Sequence, residues 1–262
     1  MALSGGPPPA FRDHFSLLAD AYAAFRPRYP AELFAALAHH APRREVAWDC
    51  ATGNGQAALG LAAHFAKVVA TDASAAQLAH ATPHPRIEYR VAPAERSGLP
   101  DRAVHLVGAA QALHWFDIPA FFAEARRVAV VKGVIAVWCY DLPEVTPPVD
   151  DLVRRFYTET VGPFWPPERR LVETQYRTIT FPFAEFSVPA FHIEQSLTLA
   201  EFTGYARTWS ATRRYLVARG HDPVDRLLEE LALHWRDAAE RRPVRWRLAV
   251  RAGRTGSGAV QA

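Results

Sequence analysis

Short apolar runs separated by segments of helical period dominate the first half of the chain. Strand-like runs recur at Val46–Asp49, Val68–Thr71, Ile87–Val91, Val104–Ala109 and Val134–Cys139. Between most of them, Gln56–Phe65, Ala75–His80 and Pro119–Val128 space their apolar residues as helices do. Upstream, Leu17–Ala24 has the same period. Pro30 then opens a further helix, Ala31–His40, at a position where its missing N–H is not needed. Short buried strands alternating with helices specify a parallel sheet covered on both faces.

The pattern changes after Tyr140. A proline-rich stretch, Leu142–Pro148, leads into a helix over Val149–Val161 and an aromatic turn, Gly162-Pro163-Phe164-Trp165-Pro166-Pro167. A strand follows near Phe191–Leu197, and helices over Leu199–Ala218 and Pro223–Ala239. Val244, Trp246, Leu248 and Val250 then alternate with polar or small residues, the period of a half-buried strand. The two late strands are expected to pair as an antiparallel hairpin at one sheet edge, with the helices between them folded over a ligand cleft. The whole is an α/β three-layer sandwich of Rossmann-like type, a mostly parallel seven-stranded sheet with an antiparallel edge strand and helical insertions over the cleft. Residues 1–10 read as a disordered leader and Gly253–Ala262 as a disordered tail.

Composition narrows the class. No apolar run approaches the roughly 18 residues of a membrane span, and Met1–Pro9 lacks the basic and apolar regions of a signal peptide. Cys50 and Cys139 sit in apolar strand contexts, as buried reduced thiols would, and a cytoplasmic location is expected. No Cys/His spacing suggests a metal. The net charge of +3 is small, and the arginines near the C-terminus are interrupted by acidic and apolar residues. Solvated faces are therefore expected there rather than a nucleic-acid surface. Small-molecule chemistry by a monomer or homodimer, without nucleic acid or membrane, is the expectation.

The chemistry concentrates at Val46-Ala47-Trp48-Asp49-Cys50-Ala51-Thr52-Gly53-Asn54-Gly55-Gln56-Ala57-Ala58. Strand, turn and helix in that order place a ligand outside the carboxyl end of the strand. Gly53 and Gly55 let the backbone take unusual dihedrals and approach that ligand. The relaxed G-x-G-x-x-G/A pattern is satisfied, so a dinucleotide must be weighed. Asp72, closing the next strand, could accept from ribose hydroxyls for either cofactor, or could cap the helix that starts near Ser74. Asp49 separates the two. A pyrophosphate beside that carboxylate would be repelled, whereas S-adenosylmethionine carries an ammonium and a cationic sulfonium. Asp49 could equally fix the loop by accepting backbone N–H groups.

Trp48–Ala58 resembles the first motif of class I S-adenosylmethionine-dependent methyltransferases. Ala51 stands where that motif usually has its first glycine, and alanine serves there if it keeps an ordinary φ. Tyr22-Ala23-Ala24-Phe25-Arg26-Pro27-Arg28-Tyr29-Pro30, Ala92-Pro93-Ala94-Glu95, Gln111-Ala112-Leu113-His114-Trp115-Phe116-Asp117 and Thr208-Trp209-Ser210-Ala211 are similar to segments of its trans-aconitate-methyltransferase-like branch. The resemblance covers roughly Phe11 to Arg254. It implies a methyltransferase domain over 11–252, with a cofactor-binding core over 11–140 and a substrate or lid region over 141–240. One departure concerns the fourth strand, where His105 replaces the branch's usual aspartate and puts the hydrogen bonding of the first-motif loop in question.

The resemblance implies that S-adenosyl-L-methionine is held by Tyr22, Arg26, Asp49, Ala51, Gly53, Gly55, Asp72, Ala73, Ala94, Glu95, Gln111 and Ala112. Arg26 would offer a planar fork to a carboxylate, or else form a surface ion pair. Tyr22 would close over the cofactor, or else pack a helix. Methyl transfer is an in-line displacement, so positioning can supply much of the catalysis, on the order of 7–11 kcal/mol. His114 is the candidate base if the acceptor carries a proton, or else a structural histidine. Trp115, Tyr140 and Trp165 are candidate substrate walls, together with Trp138 and Phe164, or else each packs the core or a lid. Arg154, Arg169, Arg207 and Arg213 could receive an acidic substrate. The methyl acceptor is expected to be a small molecule reacting at a carboxylate or hydroxyl oxygen. The alternatives are an NAD(P)-binding oxidoreductase and a non-catalytic S-adenosylmethionine-binding protein.

Overall fold

A computed structural model of the chain describes residues 26–256. The leader, the helix expected over Leu17–Ala24 and the candidate Tyr22 lie outside the described residues. The elements in order are α1 (Ala31–His40), β1 (Val46–Cys50), α2 (Gln56–Ala62), β2 (Lys67–Asp72), α3 (Ala75–Leu78), β3 (Ile87–Val91), β4 (Val104–Ala110), α4 (Ile118–Val128) and β5 (Ala129–Tyr140). There follow α5 (Pro147–Arg155), α6 (Arg169–Glu173), β6 (Ala184–Glu185), β7 (Phe191–Leu197), α7 (Leu199–Arg207), α8 (Ser210–Arg219), α9 (Val224–Trp235) and β8 (Arg242–Arg254).

The sheet order is β3-β2-β1-β4-β5-β8-β6, with β7 also paired to β8. The first five strands are parallel. β8 runs antiparallel to β5, to β6 and to β7. The sheet has eight strands rather than the expected seven because β6 and β7 pair with opposite ends of the long β8 and share the outermost position. The antiparallel strand consequently lies one place in from the edge. β7 and β8 do pair as expected, although α7, α8 and α9 intervene between them.

Strand alternation builds the three layers. In β5, Val134, Ala136, Trp138 and Tyr140 face the core that holds α1 and α2, while Ile135, Val137 and Cys139 face the core that holds α4. Such two-sided burial is what a helix-covered parallel sheet demands of its central strands. Trp48 and Trp138 are both fully buried, on opposite faces.

Two boundaries moved. β8 continues through Arg254, and the Thr255 hydroxyl donates to the Val130 carbonyl at 2.8 Å. The pairing with β5 and β6 thus reaches beyond Gly253, where a tail was expected. The single helix expected over Val149–Val161 is α5 followed by a widened π turn, Phe156–Thr160. That widening bears on the site. His105 lies at the opposite end of the sheet from the glycine turn. Its Nδ1 accepts from the Val46 N–H at 3.3 Å, and its Nε2 lies 3.6 Å from Glu45. The departure from the aspartate of the resembled branch therefore lies away from the hydrogen bonds of the Asp49–Gly55 loop.

Candidate active site

The candidate cofactor residues sit at the carboxyl ends of four neighbouring strands and on the loops leaving them. Asp49 is the penultimate residue of β1 and Ala51 to Gly55 follow the strand, Asp72 ends β2 and Ala73 follows it, Ala94 and Glu95 follow β3, and Gln111 and Ala112 follow β4. Gly53 and Gly55 both take left-handed φ, 56° and 87°. A Cβ on Gly55 would lie 2.3 Å from the Tyr89 hydroxyl, so a side chain there would have to displace that tyrosine as well as hold a left-handed φ. Ala51 departs from its expected ordinary φ and takes 55°. That conformation costs an L-residue about 1–2 kcal/mol. Its neighbour Thr52 is anchored by an N–H bond to the Thr71 carbonyl at 2.9 Å.

The two carboxylates have different surroundings. Asp72 Oδ2 accepts from the Gly53 N–H and Oδ1 from the Ser74 N–H, each at 2.8 Å, tying the first two loops together. The cap of α3 is Ser74, whose hydroxyl accepts from Gln77 N–H. Asp49 is fully buried, and its Oδ2 accepts from the Thr52 hydroxyl at 2.5 Å. Its Oδ1 has no hydrogen-bond partner among the described residues. Burial pushes its carboxyl up to about 7, against the Thr52 and Ala58 contacts that lower it, with Asp72 adding repulsion. A buried carboxylate without a paired cation is costly. A ligand cation beside Asp49 would relieve that cost and a pyrophosphate would raise it, so the residues fit a sulfonium cofactor.

The side chains of Glu95 and Gln111 are already engaged. Glu95 Oε1 accepts from the Asp117 N–H at 3.0 Å and links the loops after β3 and β4. The Gln111 amide donates to the Tyr140 carbonyl at 3.1 Å and accepts from the Tyr140 N–H at 2.8 Å, extending the β4–β5 ladder past its last pair. Gln111 takes a φ of 54° to do so. It presents a rim held by its own amide. Ala94 and Ala112 are buried beside these two residues.

A second compartment opens above the ends of β4 and β5, a cavity of about 50 Å³ that communicates with solvent. It is lined by Arg26, His114, Trp115, Tyr140, Trp165 and Arg169, and by Tyr205 and Trp209 from α7 and its exit. Trp115, Tyr140, Trp165 and His114 therefore meet in one cavity, whereas Trp138 is buried in the core and Phe164 packs against Tyr215, so neither of those two expected wall residues lines it. Arg26 Nη1 donates to the Tyr140 hydroxyl at 3.1 Å, and Nη2 to the Thr208 carbonyl at 3.3 Å. Arg169 is largely sequestered. Its Nε donates to the Tyr157 hydroxyl at 2.8 Å, its Nη2 pairs with Asp141 at 3.2 Å, and its guanidinium lies 4.8 Å from the Trp165 ring centroid. Its Nη1 has no partner among the described residues. The π turn delivers Tyr157, whose hydroxyl donates to Glu173 at 2.6 Å and whose carbonyl accepts from Trp165 Nε1 at 3.2 Å.

His114 Nδ1 lies 2.9 Å from the Tyr176 hydroxyl. Burial, with Arg169 and Arg26 nearby, pushes the imidazole down to about 3. The ring is neutral at physiological pH and a weak base. Of the other arginines named from sequence, Arg154 pairs with Asp151 on the surface, and Arg207 with Asp222 and Asp225. Neither lines the cavity, nor does Arg213. Sequence reasoning missed Thr52, although it lies inside the first motif, and Tyr157, Tyr176 and Tyr205, whose segments carry no motif. Both cysteines are buried, and Cys139 is pushed up to about 12 by burial. No His/Cys/Asp/Glu cluster suited to a metal occurs among the described residues. Among them too, no helix is long and apolar enough to cross a membrane.

Residues 48–137 match the methyltransferase domain family. A candidate methyltransferase of Dictyostelium discoideum is 32% identical over 228 residues, covering 86% of this chain and 87% of that one. A solved structure, a candidate type II methyltransferase from Anaeromyxobacter dehalogenans, is 45% identical. It superposes with a TM-score of 0.84 over 90% of this chain and 100% of its own. The YcgJ protein of Bacillus subtilis shares the fold at 14% identity and a TM-score of 0.52, covering 87% of this chain and all of its own.

Proposed function

The chain belongs to the class I S-adenosylmethionine-dependent methyltransferases, and from that premise we propose that it methylates a carboxylate or hydroxyl oxygen of a small acidic molecule. The observation that carries this reading is the second compartment. Arg26 and Arg169 bring guanidinium groups into a cavity walled by Trp115, Trp165, Tyr205 and Trp209. Such a wall takes flat or apolar carbon, and the guanidiniums take an anion. The resemblance to the trans-aconitate-methyltransferase-like branch supports an acid as acceptor.

When bound, S-adenosylmethionine supplies an electrophilic methyl group; the acceptor oxygen's lone pair forms the new O–CH3 bond as the S–CH3 bond breaks, leaving a neutral thioether and, from an acid, a methyl ester. Asp49, Gly53, Gly55, Asp72, Ala73 and the Ala94–Glu95 loop would hold the cofactor, with the Asp49 carboxylate offsetting its positive charge. Arg169 would bind the acid through its open Nη1 edge and Arg26 would close over the shared boundary of the two compartments. The aromatic walls would shield the reacting atoms from water. A carboxylate needs no base, which agrees with an imidazole held down to about 3.

The test is incubation with methyl-labelled S-adenosylmethionine and a panel of small acids, phenols, amines and thiols. Base-labile methyl esters from flat carboxylic acids are expected. Transfer only to amines or thiols would sink the acid reading. Binding of the cofactor in calorimetry with no transfer across the panel would favour a non-catalytic binding protein, and tight binding of NADH alone an oxidoreductase.

A further inference from the structure

We propose that Tyr176 fixes His114 as the Nε2–H tautomer, which makes His114 a hydrogen-bond donor that holds one oxygen of the methyl acceptor. The proposal rests on reading the second compartment as the acceptor site.

Tyr176 is fully buried, and His114 Nδ1, at 2.9 Å, is the only hydrogen-bond partner of its phenol oxygen among the described residues. A phenol has one proton to give. With no other acceptor in reach, that proton goes to Nδ1. The reverse arrangement, with Nδ1–H donating to the phenol oxygen, would leave a buried phenol proton without an acceptor, a costly outcome. Nδ1 is therefore the bare nitrogen and Nε2 carries the hydrogen. The tautomer is assigned from this hydrogen bond.

Nε2 has no hydrogen-bond partner among the described residues, while the ring lines the cavity beside Trp115 and Arg169. The backbone that delivers Tyr176 is strained. Gln175 and Tyr176 are consecutive non-glycine residues at φ 56° and 58°. Arg251 Nη1 holds that turn by donating to the carbonyls of Tyr176 at 2.8 Å and Ile179 at 2.6 Å. Held strain of this kind collects where a side chain must be placed for function. A donor on one acceptor oxygen fixes the plane of a carboxylate, so that its other oxygen can face the methyl group. His114 then acts by holding an oxygen and removes no proton.

The test begins with long-range 15N NMR of the imidazoles in the full chain, with His114 identified by the signal lost in His114→Gln. A protonated Nε2 and a bare Nδ1 across the neutral pH range are expected in the wild type, with mixed tautomers in Tyr176→Phe. A wild-type Nδ1–H tautomer would overturn the proposal whatever the enzyme methylates. Benzoate, a flat carboxylate probe, is then titrated with S-adenosylhomocysteine present, and a saturable shift of the Nε2–H signal is expected. With an acid acceptor in hand, His114→Gln, which keeps a donor near the Nε2 position, should retain most of kcat/KM with an unshifted pH profile. His114→Ala should lose on the order of tenfold or more. Equal losses in both variants, or an Nε2 signal that benzoate leaves unmoved in an enzyme that does methylate acids, would overturn the donor role. The expected tautomer with no acid methylated would instead sink the acceptor reading above, and the acceptor half of this proposal with it.

Discussion

The two compartments of the cleft solve opposite electrostatic problems by opposite construction. The first is acidic and local: Asp49, the glycine turn and Asp72 come from 24 consecutive residues, joined by short hydrogen bonds between neighbouring loops. The second is basic and assembled. Arg26, His114, Tyr140, Trp165, Arg169 and Trp209 come from segments scattered over most of the chain. On the proposed reading, cofactor charge would be met by the sheet itself, whereas acceptor charge would be met by what is laid over the sheet. Damage to one compartment should therefore leave the other working.

Gly55→Val tests the acidic side most severely. A β-branched residue at φ 87° is a backbone outlier, and its Cβ would displace the Tyr89 hydroxyl. Strain of roughly 1–3 kcal/mol leaves a fold of ordinary stability intact. Cofactor affinity should nonetheless fall on the order of 100-fold or more, because the blocked surface is the proposed binding surface. Calorimetry with S-adenosylmethionine measures the loss and a thermal melt checks the fold. Unchanged affinity would remove the glycine turn from the cofactor site.

Arg169→Lys tests the basic side. Lysine keeps the charge but loses the planar fork that bonds Tyr157 and Asp141 while leaving Nη1 open. Losing a charge-assisted bond of about 1.5–3 kcal/mol should raise KM for an acid acceptor on the order of 10- to 100-fold, with cofactor affinity within about twofold of wild type. Steady-state kinetics beside calorimetry reads both. A matched loss in both quantities would mean that the compartments are not separable.

The contrast also explains what the sequence could reveal. Residues at the ends of β1, β2, β3 and β4 follow from period and spacing, because each loop leaves a strand whose end is marked by a polarity change. Ala51 shows the limit even there, since its left-handed φ is set by tertiary bonds that no local pattern reports. The second compartment was legible only as a list of residue types. Four arginines were eligible, and only Arg169 lines the cavity. Its position depends on a π turn that places Tyr157, and a turn of that kind looks like ordinary helix in sequence. Tyr176 was invisible for the same reason: it sits in a strained turn without glycine, where backbone preference argues against the conformation it holds.

The acidic side carries a pH dependence. The Asp49 carboxyl titrates near about 7 in the fold against an ordinary 3.8. The fold therefore keeps a proton that the unfolded chain has released, and this group's contribution to stability falls as pH rises between those values. A cation bound beside Asp49 favours the ionised form, so cofactor affinity should rise about tenfold from pH 6 to pH 8 with proton release. S-adenosylhomocysteine, which lacks the sulfonium charge, should show a shallower slope, and Asp49→Asn a flat one. Calorimetry in two buffers of different ionisation enthalpy counts the protons. Equal slopes for the two ligands would place the sulfonium away from Asp49.

The smallest effect separates burial from charge as the reason Arg169 matters. Arg207 is as well paired as Arg169, with Asp222 at 2.6 Å and Asp225 at 2.8 Å, yet its side chain is 38% exposed against 14% for Arg169. Water already solvates its charge, so removing the pair should cost about 0–1 kcal/mol of stability. Arg207→Ala should leave acceptor KM and cofactor affinity within about twofold of wild type, since the residue lines neither compartment. The assay is the one used for Arg169→Lys, run on both variants at the same acceptor concentrations. A KM rise in Arg207→Ala comparable to that of Arg169→Lys would show that acids are drawn by diffuse positive charge across the insertions. Specific recognition by one sequestered guanidinium requires the two variants to part.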